Sequence, residues 1–320
     1  MTLAYLVRRL LLAVALVAVV SSAALLLAGL APGDYASESL GAFVHAETVA
    51  AARARYGLDR PLLTQYVEWL GHALRFDFGT SLAYDRPVRE LVVERAGNTA
   101  LLALTALFFA TLVGLPLGVV TGTKVRGLLP ALVRTASLLF LSLPPLLTSL
   151  VLVFVAARTG WLPVGGMRSL GAGGADESGL LDLAAHMVVP VLALALPLGA
   201  MMERVQAEAI AGVAREPFVL AVVSRGVPRA RVRWRHAFKA ALRPIAAMYG
   251  VIVGTVLSGS FAVEIVTAWP GLGRLMLDAL RARDVYLVAG CAATGALFLA
   301  AGTLVADLAL AYVDPKAAEP

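Results

Sequence analysis

The chain has 320 residues, 60% of them hydrophobic and 15% charged, with a formal net charge of +6, a mean hydropathy of +0.83 and a sequence pI of about 9.8. A soluble domain of this length needs far more charge on its surface, so a membrane protein is expected. In such a protein an excess of Lys and Arg points to cytoplasmic loops and anionic lipid before nucleic acid.

In chain order, six windows free of charge are long enough to cross a hydrocarbon core as helices. They run 10–33, 96–123, 135–157, 183–202, 244–263 and 285–306. The first follows Arg8 and Arg9 and is either a signal peptide or a retained span. Its apolar stretch exceeds a typical signal core, which favours a retained helix at 1–33.

Residues 34–95 form an expected extracytoplasmic segment. Within it, "AETVAAARARYGLDRPLLTQYVEWLGHALRFDFG" (46–79) holds two helix-like stretches separated by Gly57 and Pro61, which reads as a small amphipathic cap over the outer mouth. The remainder, 96–314, is expected to be the membrane core, with 315–320 as a tail. Gly114, Gly118 and Gly122 repeat every four residues, as do Gly250 and Gly254, a spacing that lets helices approach closely. Pro116, the pair Pro144–Pro145, Pro190 and Pro197 fall inside spans, where they read either as ordinary kinks or as helices shaped around a pathway. Candidate pathway positions are Ser142, Pro144, Thr148, Thr255 and Ser258. "GAGGADESG" (171–179) is a flexible loop by composition.

The basic residues orient the spans. Arg8 and Arg9, then Lys124, Arg126 and Arg134, then the cluster from Arg204 to Arg243 fall on one face of a six-span protein, which predicts that both termini are cytoplasmic. The stretch "VPRARVRWRH" (227–236) in the 203–243 loop is the most basic. Nucleic acid, lipid head groups and a protein partner are its three candidate ligands, and the chain has no soluble module of the kind nucleic-acid readers present.

Catalytic patterns are absent from the sequence. It contains no G-x-x-x-x-G-K-[ST] loop and no H-E-x-x-H, and its histidines lack metal-ligand spacing. Its one cysteine, Cys291, excludes an intrachain disulfide and a cysteine zinc site. His186 and Ser258 are thin candidates for a hydrolase pair, and Glu264 and Asp307 sit at span ends rather than deep in the membrane. The chain is therefore expected to be no enzyme, with no catalytic, cofactor or metal residues.

The stretch "REPFVLAVVSRGVPRARVRWRHAFKAALRP" (215–244) resembles the coupling loop of binding-protein-dependent ABC importer permeases of the dipeptide, oligopeptide and nickel branch, with Gly226, His236 and Pro244 at the family's glycine, histidine and proline. "PGDYA" (32–36), "YGLDRPLLTQYVEWL" (56–70), "FDFGTSL" (76–82), "NTALLAL" (98–104), "GWLPVGG" (160–166), "WPGLGRLMLDALRARDVYLVAG" (269–290) and "DPK" (314–316) are similar to further family segments in the same order.

The resemblance implies an all-α type I ABC importer permease of six transmembrane helices in the inner membrane, importing short peptides, or else nickel or another small solute. It implies a second homologous permease, two ATP-binding cassette subunits that hold ATP and magnesium, and an extracytoplasmic substrate-binding protein. Membrane lipid is the remaining expected contact. The ATPase-coupling residues it implies are Arg215, Glu216, Ser224, Arg225, Gly226, Val227, Arg229, Arg233 and His236. The chain departs from the family at Leu220 and Val223, where arginines are common, so its docking face is more apolar. A non-transporting membrane scaffold or receptor is the rival; it accounts for helices and a basic loop but not for "PGLGR" and the coupling-loop sequence together.

Overall fold

The computed structural model describes residues 3–40, 45–123, 126–169 and 177–313. Its helices are α1 (Leu3–Leu30), α2 (Tyr35–Leu40), α3 (Ala46–Tyr56), α4 (Leu62–Ala73), α5 (Val88–Thr123), α6 (Leu128–Leu141), α7 (Pro145–Thr159), α8 (Glu177–Val213), α9 (Pro217–Ser224) and α10 (Arg229–Arg231). A π-helix (Val232–Ala237) follows, then α11 (Phe238–Ala240), α12 (Leu242–Val266), α13 (Leu272–Arg281) and α14 (Val285–Val313). The loop at 171–179 lies outside the described residues up to 176, and α8 has begun by Glu177; "DPK" and the tail lie outside them entirely.

Five of these helices, α1, α5, α8, α12 and α14, are individually long and apolar enough to cross a membrane. The 135–157 window is not a single straight span. It divides into α6 and α7, which meet at an angle of 107°. Two adjacent prolines explain the break. Neither Pro144 nor Pro145 has an N–H to donate, and each pushes its predecessor out of the helical region. Ser142 closes α6 by donating its N–H to the Leu138 carbonyl at 3.2 Å, and Pro145 opens α7 at the first helical position, where no donor is needed. Pro116, Pro190 and Pro197 lie within α5 and α8, which continue past them.

The chain divides into two compact units, one of residues 3–100 and 270–300, the other of residues 101–269 with the chain from 301 onward. In the first unit the turn after α1 is built by Gly33, at φ +88°, and by Asp34. The Asp34 carboxylate accepts the Ser37 N–H at 2.8 Å, and the Asp34 N–H donates to the Ser37 hydroxyl at 3.0 Å, a reciprocal cap for α2. Arg53 of α3 pairs with the same carboxylate. α3 ends at Gly57 in the left-handed conformation, and Pro61 opens α4. The cap segment does not stand free of the span before it. Tyr66 reaches Ser22 of α1 at 3.1 Å, and Leu25 and Trp69 share a buried cluster with Ala289 of α14.

Motifs far apart in sequence also meet in this unit. The Leu272 N–H donates to the Thr99 hydroxyl at 2.8 Å, and the Asn98 amide donates to the Pro270 carbonyl at 2.8 Å. Asp284, fully buried, caps α14 by accepting the Leu287 N–H, and it also accepts the Ser81 hydroxyl at 2.6 Å and the Ala83 N–H.

In the second unit α5 lies against α8. A Cβ at Gly114 would fall 2.7 Å from the Gly199 carbonyl oxygen, at Gly118 2.6 Å from that of Glu203, and at Gly122 2.5 Å from that of Ala207. The four-residue glycine repeat is therefore a backbone-to-backbone packing face. At Gly250 a Cβ would meet α14 only at ordinary distance, 3.7 Å from Thr303. Leu102, Ala106, Leu194, Met202, Ile252 and Trp269 are among the residues of the main core, which joins α5, α8 and α12.

Two outcomes follow from these contacts. Gly118→Val forces backbone apart and lowers stability by about 1–3 kcal/mol, whereas Gly250→Ala is tolerated, as thermal unfolding of the purified protein would report. Burial pushes the Asp34 carboxyl up, but the Ser37 N–H and the Arg53 guanidinium outweigh it and hold its pKa below the ordinary aspartate value. A depressed carboxyl stabilises the fold above its unfolded pKa and loses that contribution as pH falls through the folded value. Protease sensitivity of the α2–α3 segment should therefore rise as pH falls below the ordinary carboxylate range, and Asp34→Asn should show that sensitivity already at neutral pH.

Candidate functional site

The segment from the end of α8 to the start of α12 is a set of short helices. α8 closes with the Arg215 N–H on the Gly212 carbonyl and the Glu216 N–H on the Val213 carbonyl. Glu216, extended at ψ 142°, precedes α9, and Pro217 takes its first position. The eight residues PFVLAVVS then turn twice. Ser224 bonds back to the Ala221 carbonyl at 3.0 Å, and the Gly226 N–H donates to the Val223 carbonyl at 3.0 Å.

Gly226 sits at φ +77°, a region that β-branched residues strongly resist. No atom lies within 4 Å of where its Cβ would be. The demand for glycine here is thus conformational and not steric within this chain. Val227 and Pro228 lead into α10.

The basic stretch is helical from Arg229 through Ala240, not an open loop. Its middle, Val232–Ala237, is a π-helix, a form that recurs at functional sites. This geometry sorts the side chains. Val219 of α9 and Val232 of the π-helix are buried, and the two elements pack on each other. Arg215, Arg225, Arg229, Arg231 and Arg235 are exposed, while Arg233 and His236 are half-buried. The Arg233 guanidinium carbon lies 5.9 Å from the centroid of the Trp234 ring, which lies 6.2 Å from Phe238.

Ala237 and Ala241 are buried with Val119 of α5 and Ile210 of α8. The basic helix is thus seated on the glycine-packed helix pair. α9 leaves three apolar side chains exposed, Phe218 44%, Leu220 59% and Val223 45%. The two departures noted in the sequence, Leu220 and Val223, are three residues apart on one side of the helix, and Phe218 lies on another.

The candidate pathway positions separate. Ser142 ends α6, is exposed, and bonds back to the Leu138 carbonyl at 2.9 Å. Pro144 caps α7. Thr148 is buried and turns its hydroxyl to the Pro144 carbonyl at 3.3 Å. Thr255 and Ser258 lie three residues apart on one exposed face of α12, where the Thr255 hydroxyl bonds to the Val251 carbonyl. Pro145 packs on α12 at Gly259, 3.2 Å from its Cβ position, so the α6–α7 break stands beside Ser258.

His186, named for a hydrolase pair, is buried and bonded through Nδ1 to the Asp182 carbonyl of its own helix. Among the described residues no group of three or more His, Cys, Asp or Glu side chains is placed to hold a metal.

Sequence reasoning passed over Glu203 and Gln206. Both are buried on α8, and the Thr121 hydroxyl donates to Glu203 Oε1. Glu203 Oε2 and both Gln206 amide atoms have no hydrogen-bond partner among the described residues. The only sequence signal was their place just beyond the uncharged 183–202 window.

Residues 114–319 match the family model described as binding-protein-dependent transport system inner membrane component. Residues 2–103 match the model for the N-terminal part of such membrane components. The chain is 28% identical over 315 residues to the oligopeptide transport system permease protein of Bacillus subtilis, with 98% of each chain covered. It is 29% identical over 312 residues to the glutathione transport system permease protein of Salmonella typhimurium, with 97% of each covered.

Proposed function

The chain belongs to the family of binding-protein-dependent transport system inner membrane components, and we propose that it forms one half of a membrane pathway for the ATP-driven import of short peptides. The peptide reading draws on the oligopeptide and glutathione permeases it is similar to. The observation that carries the mechanism is α9: a short helix, ended by a glycine at positive φ, with three exposed apolar side chains and a fringe of exposed arginines.

In this reading α9 docks in a cleft of an ATP-binding cassette subunit. Phe218, Leu220 and Val223 supply the buried contact, at about 1.5–3 kcal/mol for each side chain fully covered. Arg225, Arg229 and Arg231 lie on the rim, where they meet acidic side chains or lipid phosphates. Closure of two such ATPase subunits on ATP pushes α9. The push passes through the packing of α9 on the π-helix, and through Ala237 and Ala241 to α5 and α8. Rocking of those helices against a second, homologous permease then alternates access. The exposed hydroxyls of Thr255 and Ser258 face that pathway, and a substrate-binding protein delivers the peptide from outside. ATP and magnesium belong to the partner subunits, and this chain performs no hydrolysis. Both termini and the 203–243 segment lie on the cytoplasmic side.

Three outcomes test the reading. Cys291 is buried, so single added cysteines report topology cleanly. In intact cells a cysteine at exposed Ser39 reacts with an impermeant thiol reagent, and one at exposed Ser224 reacts only after the membrane is opened. External labelling at Ser224 would invert the orientation.

In the reconstituted complex Gly226→Val assembles the membrane helices normally but loses most peptide-stimulated ATP hydrolysis, because valine resists the positive φ that ends α9. Leu220→Asp weakens ATPase capture by about tenfold or more, while Arg229→Gln, on the rim, changes coupling little. Normal coupling in both Gly226→Val and Leu220→Asp would remove α9 from the mechanism. Short peptides raise ATP turnover only with the substrate-binding protein present; stimulation by nickel and not by peptides would overturn the substrate assignment.

A further inference from the structure

A groove of about 340 Å³ runs between α5, α6 and α8 in the second unit, walled by Phe109, Val113, Val133, Phe140 and Leu192 among others. Its α8 wall extends from Val188 to Glu203, about 22 Å at 1.5 Å per residue.

Glu203 closes the apolar groove and also lines a second cavity of about 320 Å³, which holds Thr121, Arg134, Arg204 and Glu208. This second cavity lies just beyond the uncharged 183–202 window, at the depth where head groups meet water. Its charges are balanced, two arginines against two carboxylates. Arg204 and Glu208 are only loosely paired, at 4.0 Å. Glu203 is 2% exposed. Its Oε1 accepts the Thr121 hydroxyl, and its Oε2 has no hydrogen-bond partner among the described residues. A buried carboxylate oxygen without a donor is costly.

We propose that these two cavities, which share Glu203 as a wall, bind one phospholipid with a primary-amine head group, of the phosphatidylethanolamine class. One acyl chain fills the apolar groove, the phosphate lies against Arg134 and Arg204, and the ammonium donates to Glu203 Oε2 and Glu208. The mixed charge selects the head group. A purely anionic lipid brings no cation to the two carboxylates. A choline head group is cationic but has no N–H, whereas a primary ammonium has three donors. The site needs only a membrane around the chain and does not depend on what is transported.

The test uses the intact transporter complex, purified after exchange into vesicles of equal parts phosphatidylethanolamine, phosphatidylcholine and phosphatidylglycerol, with retained lipid measured by native mass spectrometry. The charge-assisted hydrogen bond predicts about tenfold preferential retention of phosphatidylethanolamine. Glu203→Gln, which keeps shape and the Thr121 contact, should lose most of that preference. Ala136→Phe, at an exposed position lining the groove, should lose the lipid altogether, and Arg204→Gln should weaken retention. Equal retention of the three lipids, preference for phosphatidylglycerol, or retention unchanged in Ala136→Phe and Glu203→Gln would each overturn the proposal. So would a neighbouring subunit cross-linked through position 136 with no lipid retained.

Discussion

The approach of α5 to α8 through Gly114, Gly118 and Gly122 is the constraint on which the second unit is built. At each glycine the space a methyl group needs is taken by backbone of α8, and backbone cannot swing aside as a flexible side chain does. In a membrane, where helices gain little by hiding apolar surface from lipid, such close packing is a main source of association. It also fixes the register of α8, and with it the place where Val213 hands the chain to α9. Ala237 and Ala241 then rest beside Val119 and Ile210 on the same helix pair. The basic helix thus rests two alanines on larger apolar side chains of α5 and α8 at its base.

The broken α6–α7 segment shows the other use of membrane helix chemistry. Backbone groups freed inside the membrane need partners. Ser142 supplies both its N–H and its hydroxyl to the Leu138 carbonyl, and Thr148 turns its hydroxyl to the Pro144 carbonyl. The break is thus capped on both sides. It stands against α12 at Gly259, where the absent side chain leaves space for the Pro145 ring. Thr255 and Ser258 remain exposed next to it, as hydroxyls on a pathway would need to be.

The first unit is held by polar groups at helix ends. Asp284 serves three donors at once, from α14, from Ser81 and from Ala83. Asn98 and Thr99 hold the start of α13 through Pro270 and Leu272. These contacts explain why "FDFGTSL", "NTALLAL" and "WPGLGR" occur together: they are parts of one joint, separated by up to about two hundred residues of chain.

Hydropathy and charge alone marked the membrane class, six windows long enough to span, five of which are single helices, and the position of the basic segment, because burial in lipid is a property of local composition. Glycine spacing marked a packing face at Gly114, Gly118 and Gly122 without its partner, Gly57 with Pro61 marked the break between α3 and α4, and the family resemblance pointed to the turns at Gly33 and Gly226; the structure supplied α8 as the partner. Tertiary structure alone decided that the third window breaks instead of kinking, because whether freed carbonyls find partners depends on neighbouring side chains. It also decided that the basic stretch is a helix with a π-turn, that Thr148 is buried while Thr255 and Ser258 share an exposed face, and that Glu203 lies at the junction of two cavities. Each of these depends on which residues distant in sequence come to lie together, and no local pattern encodes that.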